Sequence, residues 1–283
     1  MDTWDKFWRA NFNVPDIAYI LSKDHYYFLL KRLLMDNHVF EYYSKPVKIA
    51  EVGCGSGIRS LALLMEYSTL IDEVIFFDKS QEALDIINLM AEKLPRELKA
   101  KIKLIRGDIF NMPIKKDSID IVWNEGVMEH FAGKYRENSF KLIYEIVKPE
   151  GYYICIVPNR LNLPLIARNF ILKKTNQWSY GFQKEFTIFE LKSKIKNAGF
   201  KICSSAGIDS ILPVKLFIRE IANIFKSRKE IKSGNENNNK SKNQILKRLS
   251  HLQQLRLWGW EIETKTIYGK LFGREIGVCG QKL

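Results

Sequence analysis

The stretch Ala50-Glu51-Val52-Gly53-Cys54-Gly55-Ser56-Gly57, "AEVGCGSG", carries glycine at three alternate positions. It follows an apolar run containing Val47, Ile49 and Val52, and it precedes "IRSLALL" (58–64), whose apolar residues recur at helical spacing. Glycines between a strand pattern and a helix pattern serve a tight turn, or they let a ligand lie against bare main chain. Taken alone, the motif leaves both readings open.

Outward from that stretch the same alternation repeats. Strand patterns occupy 47–53, 73–78, 102–108, 118–126 and 151–158, with helical periods between them, including "QEALDIINLMAEKL" and "SFKLIYEIVK" (139–148). The latter meets Pro149 and Gly151, which mark a helix end. Strand–helix–strand units of this length predict a doubly wound, mostly parallel α/β sheet. The strands are apolar almost throughout, which suits burial on both faces. Beyond residue 160 the rhythm breaks into a long aromatic connection over 160–186, and such connections are usually functional. A helix over 187–200 follows, with Thr187 and Glu190 as a capping box and Gly199 at its end. Strands at 200–208 and 274–283 finish the pattern, separated by an insertion of about sixty residues.

The chain has 283 residues, enough for one α/β domain with elaborations, and its 46% hydrophobic and 27% charged content fits a soluble globular protein. The opening "MDTWDKFWRANF" lacks the unbroken apolar core of a secretory signal. No run approaches the roughly 18 apolar residues of a membrane-spanning helix. Cys54, Cys155, Cys203 and Cys279 are scattered without zinc-type spacing and read as buried free thiols, so a reducing cytoplasm is the expected compartment. The net charge of +13 is concentrated: residues 212–250 hold ten Lys or Arg against three Glu. Within that segment, "VKLFIREIANIF" and the stretch carrying Ile245, Leu249, Leu252 and Leu255 are amphipathic, and a polar low-complexity run lies between them.

In an open parallel sheet, ligands collect at the carboxyl ends of the strands. Asp78 closes the second strand, Asp108 the third, and Asn124 and Glu125 the fourth. Each acid alone reads as a turn or cap residue. The ordered set reads as a nucleoside site, with Asp78 placed to accept the hydroxyls of a ribose. The dinucleotide fingerprint G-x-G-x-x-G is absent, because Ile58 occupies the third glycine position, and no P-loop occurs.

With these residues assembled, "EVGCGSG", "VIFFDKSQEALDIINLMAEK", "IKLIRGDIFNMPIKKDSIDIVWNEGVMEHF", "LIYEIVKPEGYYICIVPN" and "FTIFELKSKIKNAGFKI" resemble the successive motifs of class I S-adenosylmethionine-dependent methyltransferases. The small-molecule type that includes quinone and sterol methyltransferases is the nearest. The resemblance implies a seven-stranded Rossmann-like sheet with an antiparallel last strand and helical lid insertions. It divides the chain into an N-terminal helical cap (1–46), a cofactor-binding core (47–211 and 273–283) containing a lid-like connection (160–186), and a basic helical insertion (212–272). By position, it implies that Glu51, Gly53, Gly55 and Gly57 line the methionine and ribose side of the cofactor. Asp78 would hold the ribose hydroxyls with Lys79 beside it, Asp108 would meet the adenine amino group, and Ile109 would pack on the ring. Asn124 and Glu125 would face the methionyl portion.

Methyl transfer needs a positioned acceptor, and a base only if that acceptor has a proton to lose. Glu125, Glu129 and His130 are the candidate base or acceptor-positioning residues, with His25 and Tyr26 able to close over the site. Metal-binding relatives use E-x-x-E-H; here Gly126 takes the first acid's place, so no metal site is expected. Trp4, Phe7 and Trp8 share one face of an N-terminal helix, for packing or as an aromatic lid. The expected function is methyl transfer to a small, bulky or partly apolar acceptor. The alternatives are an RNA or protein methyltransferase using the basic 212–250 segment, and a non-catalytic cofactor-binding partner. That segment also admits peripheral contact with an anionic membrane surface. Nucleic acid is the least favoured partner, because aromatics are not interleaved with the charge.

Overall fold

The computed structural model describes residues 3–10, 24–209, 260–261 and 263–283. The basic insertion read over 212–250, with its amphipathic stretches and the membrane contact they admit, lies outside the described residues. Helices α1 (Thr3–Ala10) and α2 (His25–Asp36) precede the sheet. The core then alternates β1 (Val47–Val52), α3 (Ile58–Glu66), β2 (Ile71–Asp78), α4 (Gln81–Ala91), β3 (Ile102–Arg106), β4 (Ile119–Glu125), α5 (Gly133–Ile146) and β5 (Val147–Pro158). It ends with α6 (Leu163–Lys174), α7 (Ile188–Asn197), β6 (Phe200–Ile208), α8 (Ile267–Phe272) and β7 (Glu275–Lys282).

The seven strands form one sheet in the order β3-β2-β1-β4-β5-β7-β6. β7 runs antiparallel to both of its neighbours, and the remaining pairs are parallel. This is the doubly wound Rossmann-like sheet with an antiparallel last strand that the alternation and the resemblance predict. The period of two sorts side chains to the two faces. Val47 and Ile49 pack with Leu61, Leu64, Leu84 and Ile87 of α3 and α4, whereas Ala50 and Val52 join the cluster of Phe140, Ile143, Leu191 and Ile195 from α5 and α7. Strand order reverses between β1 and β4, so the crevice at the switch point opens beside the glycine loop.

The structure departs from the sequence reading in three places. α5 ends at Ile146, and β5 begins at Val147, upstream of Pro149. Val147 pairs with Ile119, a register shift follows, and Glu150 takes φ 64°, so the proline sits where the ladder is interrupted and its missing N–H costs nothing. The 160–186 connection contains a helix, α6, capped by Asn162, whose side chain accepts from the Leu165 N–H, with Pro164 in the first turn. Cys203 is exposed, unlike the other three cysteines: it is the extra residue where the register of the edge strand β6 shifts between Ile202 and Ser204. Among the described residues no helix is long and apolar enough to cross a membrane.

α8 meets β6 backbone to backbone. A Cβ on Gly269 would stand 2.1 Å from the Glu263 carbonyl oxygen and 2.9 Å from that of Gly207. Main chain cannot yield as a side-chain end can, so Gly269→Ala is expected to cost about 1–3 kcal/mol. An unchanged urea midpoint for that variant would contradict this packing.

Candidate active site

The glycine loop leaves β1 in a left-handed conformation, with φ of 72°, 51° and 60° at Gly53, Gly55 and Gly57. The amides of Gly53 and Cys54 donate to the Phe77 carbonyl at 2.7 and 3.1 Å, and the Gly55 amide donates to Asp78 Oδ2 at 2.9 Å. The loop is therefore tied to the tip of β2. A Cβ on Gly53 would meet Val127 at 2.5 Å, and one on Gly55 would meet the Trp8 ring at 2.4 Å. A Cβ on Gly57 would collide with Phe76 and Ile87 at 2.7 Å. The three glycines thus do different work: Gly57 faces the core behind the loop, and Gly53 and Gly55 face the crevice.

That crevice holds a cavity of about 560 Å³ at the carboxyl ends of the strands. It brings together Glu51, Gly53, Gly55, Asp78, Lys79, Asp108, Ile109, Glu125, Glu129 and His130. Two of the sequence-derived candidates lie outside it. Gly57 is behind the loop, and Asn124 sits on the opposite face of β4, where its Nδ2 donates to the Tyr153 hydroxyl at 3.0 Å. Alternation along the strand accounts for Asn124, since its neighbours Trp123 and Glu125 turn the other way. His25 also stays outside the lining, 4.0 Å from Asp209, whereas Tyr26 reaches the cavity. Among the described residues no group of three or more His, Cys, Asp or Glu is arranged to hold a metal ion.

Asp78 is the hub of the loop. Its Oδ1 accepts from the Ser80 amide at 2.9 Å, while Oδ2 takes the Gly55 amide. Burial raises its pKa, and these amides act against that rise. Ser80 caps α4 and donates its hydroxyl to Asp5 of α1 at 2.7 Å. Asp108 caps the short helical turn after β3 by accepting from Phe110 N–H at 2.9 Å.

Sequence reasoning missed Arg59 and Glu275. Arg59 makes a bidentate pair with Asp24 at 2.9 and 3.0 Å, meets Glu125 Oε2 at 3.1 Å, and lies 4.6 Å over the Tyr26 ring. A basic residue in the first turn of a helix opposes the macrodipole unless anions surround it, and that mismatch was a readable signal. Glu275 reaches the cavity through the register of β7, where it stands opposite Pro158 and Ile208. Nothing near it in sequence marks that placement. Its Oε1 accepts from the Tyr26 hydroxyl at 2.9 Å.

Burial dominates the site's titration. It pushes Glu51, Glu125 and Glu129 up to about 8 and Glu275 to about 7, with Arg59 acting against the shift at Glu125. His130 is lowered by burial, and its Nδ1 contacts the Phe182 carbonyl at 2.7 Å. These carboxyls bind protons more tightly folded than unfolded. Their stabilising contribution is therefore complete below about pH 4.5 and is lost as pH rises through their folded values. The buried His25, held neutral with a value near 4, acts oppositely at lower pH and has finished titrating by about pH 6.5. The melting temperature is thus expected to fall between about pH 6.5 and 8. Glu129→Gln should flatten the slope, and a rising profile in wild type would contradict the assignment.

Helix α1 roofs the cavity. Trp4 packs edge-on against His130 with centroids 4.9 Å apart, Phe7 meets Tyr180 at 5.4 Å, and Arg9 pairs with Glu82. α1 therefore touches the first turn of α4, the turn after β4 and the connection after α6.

A doubly wound sheet, with a glycine loop and strand-tip acids around a cavity at its switch point, defines a nucleotide-binding α/β core. Residues 50–155 match the family described as "Methyltransferase domain". That stretch is a methyltransferase domain, and it implies S-adenosylmethionine as the cofactor. No curated protein sequence matches the chain. Solved structures share the fold at low identity. One is a Thermotoga maritima protein described as a possible histamine N-methyltransferase, with TM-score 0.57 and 17% identity over 99% of this chain and 98% of that one. Another is a Galdieria sulphuraria protein described as a putative sarcosine dimethylglycine methyltransferase, with TM-score 0.55 and 15% identity over 90% and 83%. A third, an S-adenosylmethionine-dependent methyltransferase from Archaeoglobus fulgidus, gives TM-score 0.53 and 15% identity over 90% and 94%.

Proposed function

We propose that the chain methylates a small, bulky or partly apolar acceptor held in the same cavity as the cofactor. The observation that carries this reading is the composition of the cavity wall. Beyond the strand-tip acids, it is lined by Trp4, Phe7, Leu165, Trp178 and Tyr180, an aromatic and apolar enclosure suited to a compact organic molecule.

The residues present fit the cofactor. Val127 and Trp8 pack directly over Gly53 and Gly55, where no side chain could stand, and Glu51 Oε2 is buried in the cavity wall without a hydrogen-bond partner, open to a donor such as an ammonium. Asp78 would take the ribose hydroxyls with the lone pairs its two amide contacts leave, and Lys79 lies beside it. Asp108 and Ile109 would meet the adenine, and Glu125 the methionyl end. When bound, the cofactor supplies an electrophilic methyl group. The protein's own task is to hold the acceptor's nucleophile in line, at about 3–3.5 Å from that methyl, and to exclude water. The roof formed by α1 serves the second purpose, as part of an N-terminal cap on the core.

The test is to supply methyl-labelled cofactor to a cell extract and follow the label. It is expected in the organic-soluble small-molecule fraction. Label confined to RNA or protein would transfer the assignment to the macromolecular alternative. Absence of any label, alongside tight S-adenosylhomocysteine binding, would favour the non-catalytic partner.

A further inference from the structure

The acceptor side of the cavity has an electrostatic imbalance that an apolar molecule alone would not relieve. Glu129 and Glu275 are each only 2% exposed, both line the cavity, and the Oε2 atom of each is buried without a hydrogen-bond partner. They come from separate elements, the turn after β4 and the start of β7, so no local capping accounts for the pair. Glu275 Oε1 accepts from the Tyr26 hydroxyl and pairs with Arg274 Nε at 3.7 Å, an ion pair without a hydrogen bond that leaves Oε2 unsatisfied. Arg59 is committed to Asp24 and Glu125. Arg168 and Arg274 also line the cavity, so the site is not purely acidic, and Arg274 compensates part of the Glu275 charge. Even so, Glu129, Glu275 and Glu125 repel one another whenever they ionise, which adds to burial in keeping Glu129 protonated.

We propose that this subsite binds the protonated amine of an aromatic or otherwise apolar amine, the ammonium held by Glu129 and Glu275 and the apolar body lying against Trp4, Trp178 and Tyr180. A hydroxyl could satisfy one orphaned oxygen, but only a cation also stabilises both carboxyls in their ionised form. The aromatic wall adds to the preference, since ring faces attract ammonium groups and more strongly when water is excluded. Burial holds Glu129 near 8 and Glu275 near 7, and an approaching cation lowers both values and restores the charges that hold it. The inference rests on the small-molecule reading above and names the class of acceptor it would take.

The experiment uses the full chain saturated with S-adenosylhomocysteine and two matched pairs of probes: tryptamine with tryptophol, and 2-phenylethylamine with 2-phenylethanol. Calorimetry should show the amine binding at least about tenfold tighter than its alcohol in one pair or both. Glu129→Gln and Glu275→Gln should each erase most of that preference while leaving S-adenosylhomocysteine affinity within about twofold. Absence of an amine preference in both pairs, whether the probes bind equally or not at all, overturns the inference without reference to any variant. Loss of S-adenosylhomocysteine binding by the wild-type chain would instead overturn the reading of the cofactor cavity beneath it.

Discussion

Asp78→Ala is expected to weaken S-adenosylhomocysteine binding by on the order of 100-fold or more. The carboxylate accepts the Gly55 and Ser80 amides at 2.9 Å each, so its loss removes one of the loop's ties to β2 as well as the proposed ribose partner, while the Gly53 and Cys54 amides keep theirs to Phe77. Hydrogen bonds to a charged group contribute about 1.5–3 kcal/mol each, and two of them reach the stated factor. Stability should suffer less than affinity. Burial already disfavours the ionised form of Asp78, so part of what is lost on replacement was unfavourable to folding. Asp78→Asn should fall between the two, because its amide keeps one acceptor and turns a donor toward a backbone N–H. Calorimetric titration checks all three proteins, and equal affinity in wild type and the alanine variant would remove Asp78 from the site.

Arg59→Met is the second large effect, and it should appear in stability. The guanidinium compensates Asp24 at 2.9 and 3.0 Å and Glu125 at 3.1 Å, while its plane covers Tyr26. Asp24 also caps α2 by accepting the Tyr27 amide at 2.7 Å. Methionine retains most of the aliphatic volume but strands the Asp24 carboxylate and forces Glu125 to stay protonated beside it. Breaking a buried pair by removing one partner costs about 3–5 kcal/mol, and most of that is the stranded charge. The double variant Arg59→Met/Glu125→Gln should therefore recover a substantial part of the loss. Urea unfolding of both proteins is the measurement. A single variant within about 1 kcal/mol of wild type would show that Arg59 is an ordinary surface pairing.

Much of the fold is legible in short windows. The alternation of β1 through β5, the Thr187 cap and the Gly199 stop are local effects, set by side-chain period and by backbone groups a few residues away. α6 was less legible, because its apolar residues run around the helix rather than along one stripe, and only Asn162 and Pro164 mark its start. Among the site residues, those at strand tips could be found, since a strand's end is visible in its own sequence. Asn124 and Glu125 show the limit of that method. They are adjacent, both polar and both at one tip, yet a period of two sends them to opposite faces.

The sequence by itself determined that a parallel sheet would form, that its second and third strands would end on acids, and that Gly53, Gly55 and Gly57 would leave the main chain free to turn between strand and helix. Those outcomes depend on period and on the steric freedom of single residues. Only the tertiary structure decided that Trp8 covers Gly55 while Phe76 and Ile87 back Gly57, that Arg59 gathers Asp24 and Glu125, and that Glu275 stands in the same cavity as Glu129. These pairings join residues far apart in the chain, and their strength comes from excluding water around charges, which no segment achieves alone.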